Sequence, residues 1–423
     1  MYVCGPTVYG YIHIGNARPA VFFDTVRRFF EYQNFDVTYV SNFTDVDDKI
    51  IKKAKDTKTP EMELANHYIE AYLRDIESLG CDTSYIKPRV TEYIPHIIEY
   101  INDLIKSGHA YVSNGDVYFR VNSIKTYGQL SNRNIDDLKS GSRIEINDAK
   151  EDPLDFTLWK KTDEGIHWEA PFSVGRPGWH TECVAMIDDV FGQKIDIHGG
   201  GSDLVFPHHE NEIAHAMAKH GHTVANLWMH NGRLNIEGEK MSKSKGNMIL
   251  VKDLPEERMP FRLLLLSSHY RAPINFSDDA LDAFNTEWER IENAYRKLKL
   301  KILLEGEMLQ SGESFDKEAK TYLDDFEDAL ANDFNTPNAI TALQGIVKHS
   351  NQMLRRKNAN DAWNGILGVF ETMLDVLGLN TPSVRLKEED KKLYASWKEA
   401  RKNENYDKAD AIRDQLMEKG ILG

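Results

Sequence analysis

The first half of the chain alternates β-branched runs with segments in which apolar residues recur every three to four positions. Residues 2–8 and 35–43 are predicted to be strands, and the segment between them a helix with Asn16 as its N-cap and Pro19 in its first turn. Strands that alternate with helices form parallel sheets, because each parallel connection needs a crossover. We therefore expect an α/β fold with a parallel sheet whose ligands bind beside its strand ends.

The pattern of polar and apolar residues changes in the remainder of the chain. Residues 113–162 have short polar strands and acidic turns, whereas the apolar spacing from Asp279 onward is almost entirely helical. A chain of 423 residues is too long for one ordinary core and predicts two or three domains. The predicted division is a sheet domain over 1–112 and 171–250, a small mixed insertion over 113–170, a connection over 251–280, a helix bundle over 281–380 and terminal helices over 381–423.

Composition excludes several classes of protein. The formal net charge of −15 argues against a non-specific nucleic-acid coat, and the longest aliphatic run, residues 263–266, is far too short for a membrane helix. Three cysteines cannot form a disulfide framework and fit a reducing compartment, so we expect a cytoplasmic protein without membrane contact. Clusters of Lys and Arg within residues 296–301, 355–357 and 398–413 nevertheless suit local phosphate contacts.

The first motif with chemical content is "HIGN", His13 to Asn16, between the first predicted strand and its helix. The N-terminus of a helix offers free N–H groups and the positive end of the dipole, so a glycine and an imidazole there suit a nucleotide phosphate. Alone, this short motif also fits an ordinary turn.

The second motif is "KMSKSKGN", Lys240 to Asn247, in which lysines alternate with serines. Such a loop packs poorly, yet it can bring cations and hydroxyls to a charged leaving group. A solvated basic loop is the alternative interpretation. The pairing with "HIGN" favours the functional one, because the two loops can face one crevice of the same sheet.

A third group of residues is a candidate metal site. His208 and Glu212 are four positions apart and share a helix face, and Cys4 and Cys183 are thiols that could complete a zinc-like donor set. Spacing does not distinguish His208 from its neighbour His209. A zincin protease motif is excluded, because Ile213 stands where the second histidine would be needed.

Several long segments in the same order resemble the cysteinyl-tRNA synthetases, a family of class I aminoacyl-tRNA synthetases. They are "YVCGPTVYGYIHIGNARP", "NFTDVDDKI", "RPGWHTECVAM", "DIHGGGSDLVFPHHENEIAH", "WMHNGRLNIEGEKMSKSKGN" and "NDFNTPNAI". The similarity runs over nearly the whole chain. It implies a Rossmann-like catalytic domain with a connective insertion, followed by an all-α helix bundle and a short helical C-terminus.

The resemblance implies which residues bind ATP and stabilise the transition state at its α-phosphate, with Mg²⁺ present. The matching positions are His13, Gly15, Asn16, Lys240, Met241, Ser242, Lys243 and Ser244. Of these, His13, Asn16, Lys240 and Lys243 are the expected catalytic residues, Lys243 contacting the pyrophosphate. Asn16 stands where the family pattern has a histidine, although its amide can still donate a hydrogen bond.

The resemblance also implies one zinc ion per chain, held by Cys4, Cys183, His208 and Glu212, and so selects His208 over His209. Trp179 is expected to wall the amino-acid pocket, with Thr44 and Asp203 holding the substrate. A zinc ion would explain how the enzyme selects cysteine. A polar pocket discriminates between cysteine and isosteric serine by only ~10²-fold, whereas a soft metal binds sulfur in preference to oxygen.

The implied reaction joins L-cysteine to tRNA(Cys) through a cysteinyl-adenylate. The enzyme is expected to be a monomer whose helical C-terminal region contacts the tRNA. One alternative is a related cysteine:amino-sugar ligase, which would share the nucleotide loops and metal ligands but need no long helical region. Another is a non-catalytic, zinc-stabilised RNA-binding protein, which predicts decay of the catalytic loops; His13 and both lysines of "KMSKS" are present.

Overall fold

The computed structural model describes residues 1–133, 148–192, 194–240, 247–305, 316–356, 360–380 and 383–422. The chain forms two compact units, one of Met1–Glu256 with Tyr270–Phe276 and one of Glu257–His269 with Ser277–Gly423. The first unit extends over the predicted sheet domain and insertion, and its short second segment comes from within the predicted connection. No helix among the described residues combines the length and apolarity that a membrane span requires.

The strands of the described residues, in chain order, are β1 (Tyr2–Val3), β2 (Val40–Ser41), β3 (Ala110–Ser113), β4 (Asp116–Phe119), β5 (Phe156–Lys161), β6 (Trp168–Glu169), β7 (Val174–Pro177), β8 (Ile195–Gly201), β9 (Ala225–Asn231), β10 (Leu234–Ile236), β11 (Glu239–Lys240) and β12 (Ile274–Phe276). The helices are α1 (Ile14–Tyr32), α2 (Asp48–Thr57), α3 (Glu61–Ser78), α4 (Ile94–Lys106), α5 (Thr181–Phe191), α6 (Glu210–His220), α7 (Met259–Leu266), α8 (Asp278–Glu305), α9 (Lys317–Ala331), α10 (Thr336–Met353), α11 (Asn360–Val376), α12 (Glu388–Lys402) and α13 (Tyr406–Glu418).

A parallel sheet with strand order β2-β1-β8-β9 is the centre of the first unit. The predicted fold class is therefore confirmed, but β1 and β2 are much shorter than the predicted strands 2–8 and 35–43. Pro6 has no N–H with which to continue a ladder, and a Cβ on Gly5 would lie only 1.6 Å from the Asn42 carbonyl oxygen. Beyond Val3 the segments that follow β1 and β2 instead stay close through an isolated bridge between Thr7 and Thr44.

The insertion is a five-stranded antiparallel sheet of order β3-β4-β5-β7-β6. It spans Ala110 to Pro177, and so begins before and ends after the predicted range 113–170. Its buried Phe119 and Trp159 belong to the same core cluster as Tyr100 of α4 and Met186 of α5. The inserted sheet therefore packs against the helices that lead into and out of it.

The second unit is helical throughout its described residues, from α7 to α13. Its core includes Trp288, Phe326, Leu343 and Phe370, all 2% exposed or less. The last two helices close a smaller cluster around Tyr394, Ile412 and Leu416. This unit contains both the predicted bundle 281–380 and the predicted terminal helices 381–423, whose assignment to separate domains stays a prediction.

Candidate functional site

A cavity of about 470 Å³ opens at the carboxyl end of the parallel sheet. Six of the residues singled out from the sequence line it, namely Cys4, His13, Gly15, Asn16, Trp179 and Asp203. They come from the ends of β1 and β8, the start of α1 and the segment before α5. The topology thus gathers them where open parallel sheets place ligands.

The start of α1 is organised by the "HIGN" residues themselves. His13, rather than the predicted Asn16, is the N-cap: its Nδ1 accepts a hydrogen bond from the Gly15 N–H at 3.1 Å. Asn16 occupies the third helical position, where its Oδ1 accepts a bond from the His13 N–H at 3.3 Å. Because Oδ1 points back to the backbone, the Asn16 amide NH₂ can still donate to a ligand.

The segment that follows the lysine-rich motif lies against the His13 loop. Ile14 N–H donates to the Ile249 carbonyl at 3.0 Å, Val251 N–H donates to the Ile12 carbonyl at 3.0 Å, and His13 and Leu250 form an antiparallel bridge. Lys240, the first residue of the motif, ends β11 in the antiparallel β10–β11 hairpin. Met241, Ser242, Lys243 and Ser244 lie outside the described residues. The chain on both sides of the motif is therefore positioned in the first unit.

The four predicted metal ligands converge beside the cavity. Cys4 Sγ lies 3.8 Å from Cys183 Sγ, Cys183 Sγ lies 3.7 Å from His208 Nε2, and Glu212 Oε1 lies 2.9 Å from that nitrogen. Two thiolates bound tetrahedrally to one zinc ion would be separated by about 3.8 Å, so the donor types and the spacing of the two sulfurs fit zinc, while His208 and Glu212 lie at hydrogen-bond distance and would have to separate slightly to share the ion. Cys183, His208 and Glu212 are buried, whereas Cys4 reaches the cavity.

A second grouping of donors overlaps with this one. Cys4 and Glu212 also lie close to His209 and His198, with Cys4 Sγ 3.3 Å from His209 Nε2. His198 Nε2, however, lies 2.5 Å from Glu212 Oε2, which is the spacing of a hydrogen bond to a carboxylate rather than of two ligands. We therefore favour His198 as the partner that orients Glu212, and His180, 3.0 Å from His208 Nδ1, as the partner that orients His208.

Burial and neighbouring charges shift the pKa values of this cluster. Hydrogen bonding from Cys4 lowers the pKa of Cys183 to about 6, against the effect of burial. Although burial opposes both shifts, His198 and His208 hold the pKa of Glu212 well below its usual range, and Glu212 in turn raises that of His208 to about 10. Cys183 and Glu212 thus favour their anionic forms, whereas a divalent metal would have to displace the proton that His208 holds.

The three expected substrate contacts occupy different positions. Trp179 is 43% exposed and stacks on His208 with ring centroids 4.5 Å apart, which places its indole between the cavity and the donor cluster. Asp203 is exposed on the cavity lining after β8. Thr44 is buried and outside the described lining of this cavity, and its hydroxyl donates to Glu182 Oε2 at 3.3 Å.

Sequence reasoning missed several buried polar residues beside the site. Glu182 is 2% exposed, and burial raises its pKa well above the usual range. Asn42 Oδ1 accepts from the Gly5 N–H at 3.0 Å and lies 3.9 Å from Cys183 Sγ. Both residues stand inside the quoted motifs, Glu182 directly before Cys183 and Asn42 two positions before Thr44, so nearness to a predicted site residue was the available signal.

Comparison with known proteins agrees with this arrangement. Residues 1–286 match the family model of the class I (C) tRNA synthetase catalytic domain, and residues 325–381 match the DALR domain. The chain is 48% identical over 427 residues to the cysteine–tRNA ligase of Bacillus cereus (strain B4264), covering 100% of this chain and 92% of that protein. The values are the same for the cysteine–tRNA ligase of Bacillus thuringiensis (strain Al Hakam).

Solved structures share the fold at low sequence identity. A Mycobacterium tuberculosis methionyl-tRNA synthetase in complex with methionyl-adenylate has a TM-score of 0.63 at 16% identity, covering 89% of each chain. An Agrobacterium radiobacter K84 LeuRS, solved in a ternary complex with tRNA, has a TM-score of 0.63 at 11% identity, covering 89% of this chain and 84% of that one. By its matched domain and its full-length relatives, the chain belongs to the cysteine–tRNA ligases within the class I aminoacyl-tRNA synthetases.

Proposed function

We propose that the chain catalyses the ATP-dependent ligation of L-cysteine to tRNA(Cys). In the first step the cysteine carboxylate attacks the α-phosphorus of ATP, forming a new P–O bond while the bond to pyrophosphate breaks. In the second step a ribose hydroxyl at the 3′ end of the tRNA attacks the carbonyl carbon of cysteinyl-adenylate, and AMP leaves. The observation that most supports this function is the cavity that has a helix N-terminus on one side and a two-thiol donor cluster on the other.

The residues around the cavity suit these steps. The start of α1, with His13 and Asn16, offers donors to ATP phosphates, and a negative charge there is favoured by the helix dipole. We assign Lys240 and Lys243 to the leaving pyrophosphate, with Mg²⁺ bound to the phosphates. Little covalent work is required of the protein, so positioning and charge stabilisation supply most of the rate enhancement.

Zinc is our assignment for the donor cluster, with Cys4, Cys183, His208 and Glu212 as its ligands. When bound, zinc supplies a soft Lewis acid that favours a thiol over a hydroxyl. Around it, Trp179 covers His208 and excludes water from one side of the cluster. Asp203, on the exposed lining, is placed to bind the ammonium group of the amino acid. Thr44 and Glu182 form a buried hydrogen-bonded pair, and we assign Thr44 an indirect role in substrate binding through this pair.

The helical second unit supports a tRNA substrate rather than an amino sugar, since a small sugar gives no reason for a long helical region. Three lysines of its basic clusters, however, form ion pairs within the protein. Lys301 lies 2.7 Å and Lys398 lies 3.2 Å from carboxylate oxygens of Glu305, and Lys299 lies 2.7 Å from Glu371. We therefore expect contact with tRNA to depend more on the other basic residues of these clusters than on Lys299, Lys301 and Lys398. We further propose a cytoplasmic, monomeric enzyme.

The test is cysteine-dependent exchange of pyrophosphate into ATP by zinc-loaded protein, with serine as the competing substrate, followed by charging of total tRNA. The variant is Cys183→Ala and the matched control is Cys81→Ala, a buried cysteine in the same unit that the donor cluster does not include. We expect exchange with cysteine only, its loss in Cys183→Ala alone, and charging of tRNA by the wild-type protein. Exchange without charging would favour the amino-sugar ligase, and folded, zinc-loaded protein without exchange would contradict the proposal.

A further inference from the structure

Arg18 is a buried cation beside the nucleotide cavity to which the steps above give no role. It lies on α1, two positions after Asn16, and its side chain is fully enclosed, with 1% of the residue exposed. Burying a guanidinium is unfavourable unless its donors are satisfied, so its partners show what it holds. Burial lowers the pKa of Arg18 to about 10, which leaves it protonated at neutral pH.

The guanidinium bonds to the backbone just beyond β9. Its Nη1 donates to the Gly232 carbonyl at 2.6 Å and to the Arg233 carbonyl at 3.2 Å. Asn231, itself buried, adds a bond from Nδ2 to the Gly232 carbonyl at 3.3 Å. A charged donor therefore links α1 to two successive carbonyls at the carboxyl end of a sheet strand.

The same backbone is held from its other side by the segment that precedes and forms β12. Gly232 N–H donates to the Tyr270 carbonyl at 2.6 Å, and Ile274 N–H donates to the Arg233 carbonyl at 2.9 Å. A Cβ on Gly232 would lie 2.5 Å from the Ala272 carbonyl oxygen, so only glycine fits there without a shift. Residues 231–234 are thus clamped between α1 and residues 270–274.

These clamped residues connect the two nucleotide-binding elements. Asn231, Gly232, Arg233 and Leu234 line the same cavity as His13 and Asn16. Leu234 is also the first residue of β10, so the chain continues directly into the β10–β11 hairpin. This hairpin ends at Lys240, the first residue of the lysine-rich motif. The position of the hairpin relative to the start of α1 therefore depends on contacts at residues 232 and 233.

We infer that Arg18 is a positioning residue for ATP, because it fixes the strand end that carries the lysine-rich motif against the helix that carries His13. This inference rests on the proposed function in one respect, namely that ATP is the ligand of the cavity. It assigns Arg18 no contact with substrate. The expected consequence is a defect in ATP binding that leaves cysteine binding and the metal cluster intact.

The experiment compares Arg18→Lys and Arg18→Met with Arg28→Lys in the full chain. Arg28 is a matched control on the same helix, where it donates to Asp24 at 2.9 Å and to the Gly80 carbonyl at 3.1 Å, away from the cavity lining. The dissociation constant of Mg·ATP is measured by calorimetry, and the KM values for ATP and cysteine by pyrophosphate exchange. Zinc content and thermal unfolding are recorded for each variant.

We expect Arg18→Met to weaken ATP binding by about 10- to 100-fold, the fold-change that results if the free energy of its charged hydrogen bonds to residues 232 and 233 is lost in full from the ATP-binding arrangement. Arg18→Lys keeps a donor with a shorter reach, so its defect should be smaller but of the same kind, and it serves if Arg18→Met fails to fold. In both variants the KM for cysteine should stay within about twofold of the wild-type value, whereas Arg28→Lys should change neither constant.

Wild-type affinity for ATP in either folded Arg18 variant would overturn the inference. So would a parallel rise in both KM values with a lowered melting temperature, since that pattern indicates general destabilisation. A wild-type protein that binds no Mg·ATP would instead refute ATP as the ligand of the cavity, and with it the proposed function itself. A wild-type protein that binds ATP without exchange activity would contradict the proposed reaction. The calorimetric ATP affinities of the Arg18 variants would then still test the inference.

Discussion

Replacing Glu305 with glutamine should loosen the last two helices from α8, and the size of this effect should depend on pH. Glu305 ends α8, and its carboxylate accepts from Lys301 at 2.7 Å, from Lys398 of α12 at 3.2 Å and from the hydroxyl of Tyr394. Tyr394 belongs to the small cluster in which α12 and α13 pack. Removing the charge at Glu305 therefore weakens the attachment of both helices.

The magnitude follows from the pKa of the carboxyl group. Although burial opposes the shift, the hydrogen bonds from Lys301, Tyr394 and Lys398 lower the pKa of Glu305 from 4.5 to about 2. At about 1.4 kcal/mol per pKa unit, the whole difference corresponds to roughly 3 kcal/mol. The side chain is still 17% exposed and solvent screens its charge, so we expect about 1–2 kcal/mol at neutral pH.

The sign of the pH dependence is fixed by this lowered pKa. A carboxylate that is easier to ionise in the folded state stabilises the protein fully above its unfolded pKa of 4.5. The contribution is lost as the pH falls from about 5 through about 2, because over that range the unfolded state binds a proton that the folded state still excludes. The difference between wild type and Glu305→Gln should therefore shrink steadily over that range.

Amide hydrogen exchange of residues 388–418 measures the effect locally, which a global melt of a two-unit chain would not. Between about pH 6 and 7 Glu305→Gln should raise the exchange of these amides by about 5- to 30-fold. Glu371→Gln is the control, since Glu371 binds Lys299 of α8 at 2.7 Å but belongs to α11. An equal difference at pH 7 and pH 3.5, or an equal effect of the control, would refute this account.

Four further substitutions test the site and the packing. His198→Gln should weaken zinc affinity by about 10- to 100-fold in a chelator competition, as expected for a residue that orients a ligand. Thr44→Val should raise the KM for cysteine by about five- to tenfold with zinc content unchanged, because a buried hydrogen bond is lost. Gly199→Ala should lower the free energy of unfolding by about 1–3 kcal/mol, since its Cβ would lie 2.2 Å from Phe23 Cζ. Gly368→Ala, in an open helical position, should instead raise it by about 0.5–1 kcal/mol, and urea titration distinguishes the two signs.

The fold class and the shared helix face of His208 and Glu212 could be foreseen because both follow from local patterns, whereas Cys4 and Cys183, candidates by residue type, are assigned to the same site through the family resemblance. Alternating strands and helices predict a parallel sheet, and spacing predicts a shared helix face. The choice between His208 and His209 could not be made from spacing, since both imidazoles approach Cys4 or Cys183 once the chain is folded. That distinction depends on the turn before α6.

The errors have identifiable causes. An imidazole is an uncommon cap, so Asn16 was the natural candidate, yet the backbone turn places His13 Nδ1 against the Gly15 N–H. The extended stretches around β1 and β2 read as long strands because sequence reasoning does not show where Pro6 and Gly5 interrupt the ladder. The Thr44–Glu182 pair joins residues 138 positions apart, a separation that local patterns do not encode.

The wide sequence separation of the donor cluster has a consequence for how the protein matures. Cys4 and Glu212 approach to 3.7 Å although 208 positions separate them, and the five-stranded insertion lies between them in the chain. During synthesis Cys4 emerges first, and no complete donor set exists until α6 has left the ribosome and the parallel sheet has closed. If the cluster binds the proposed zinc ion, metal acquisition is expected to be a late event that follows folding of the N-terminal unit, and incomplete chains would lack the full donor set.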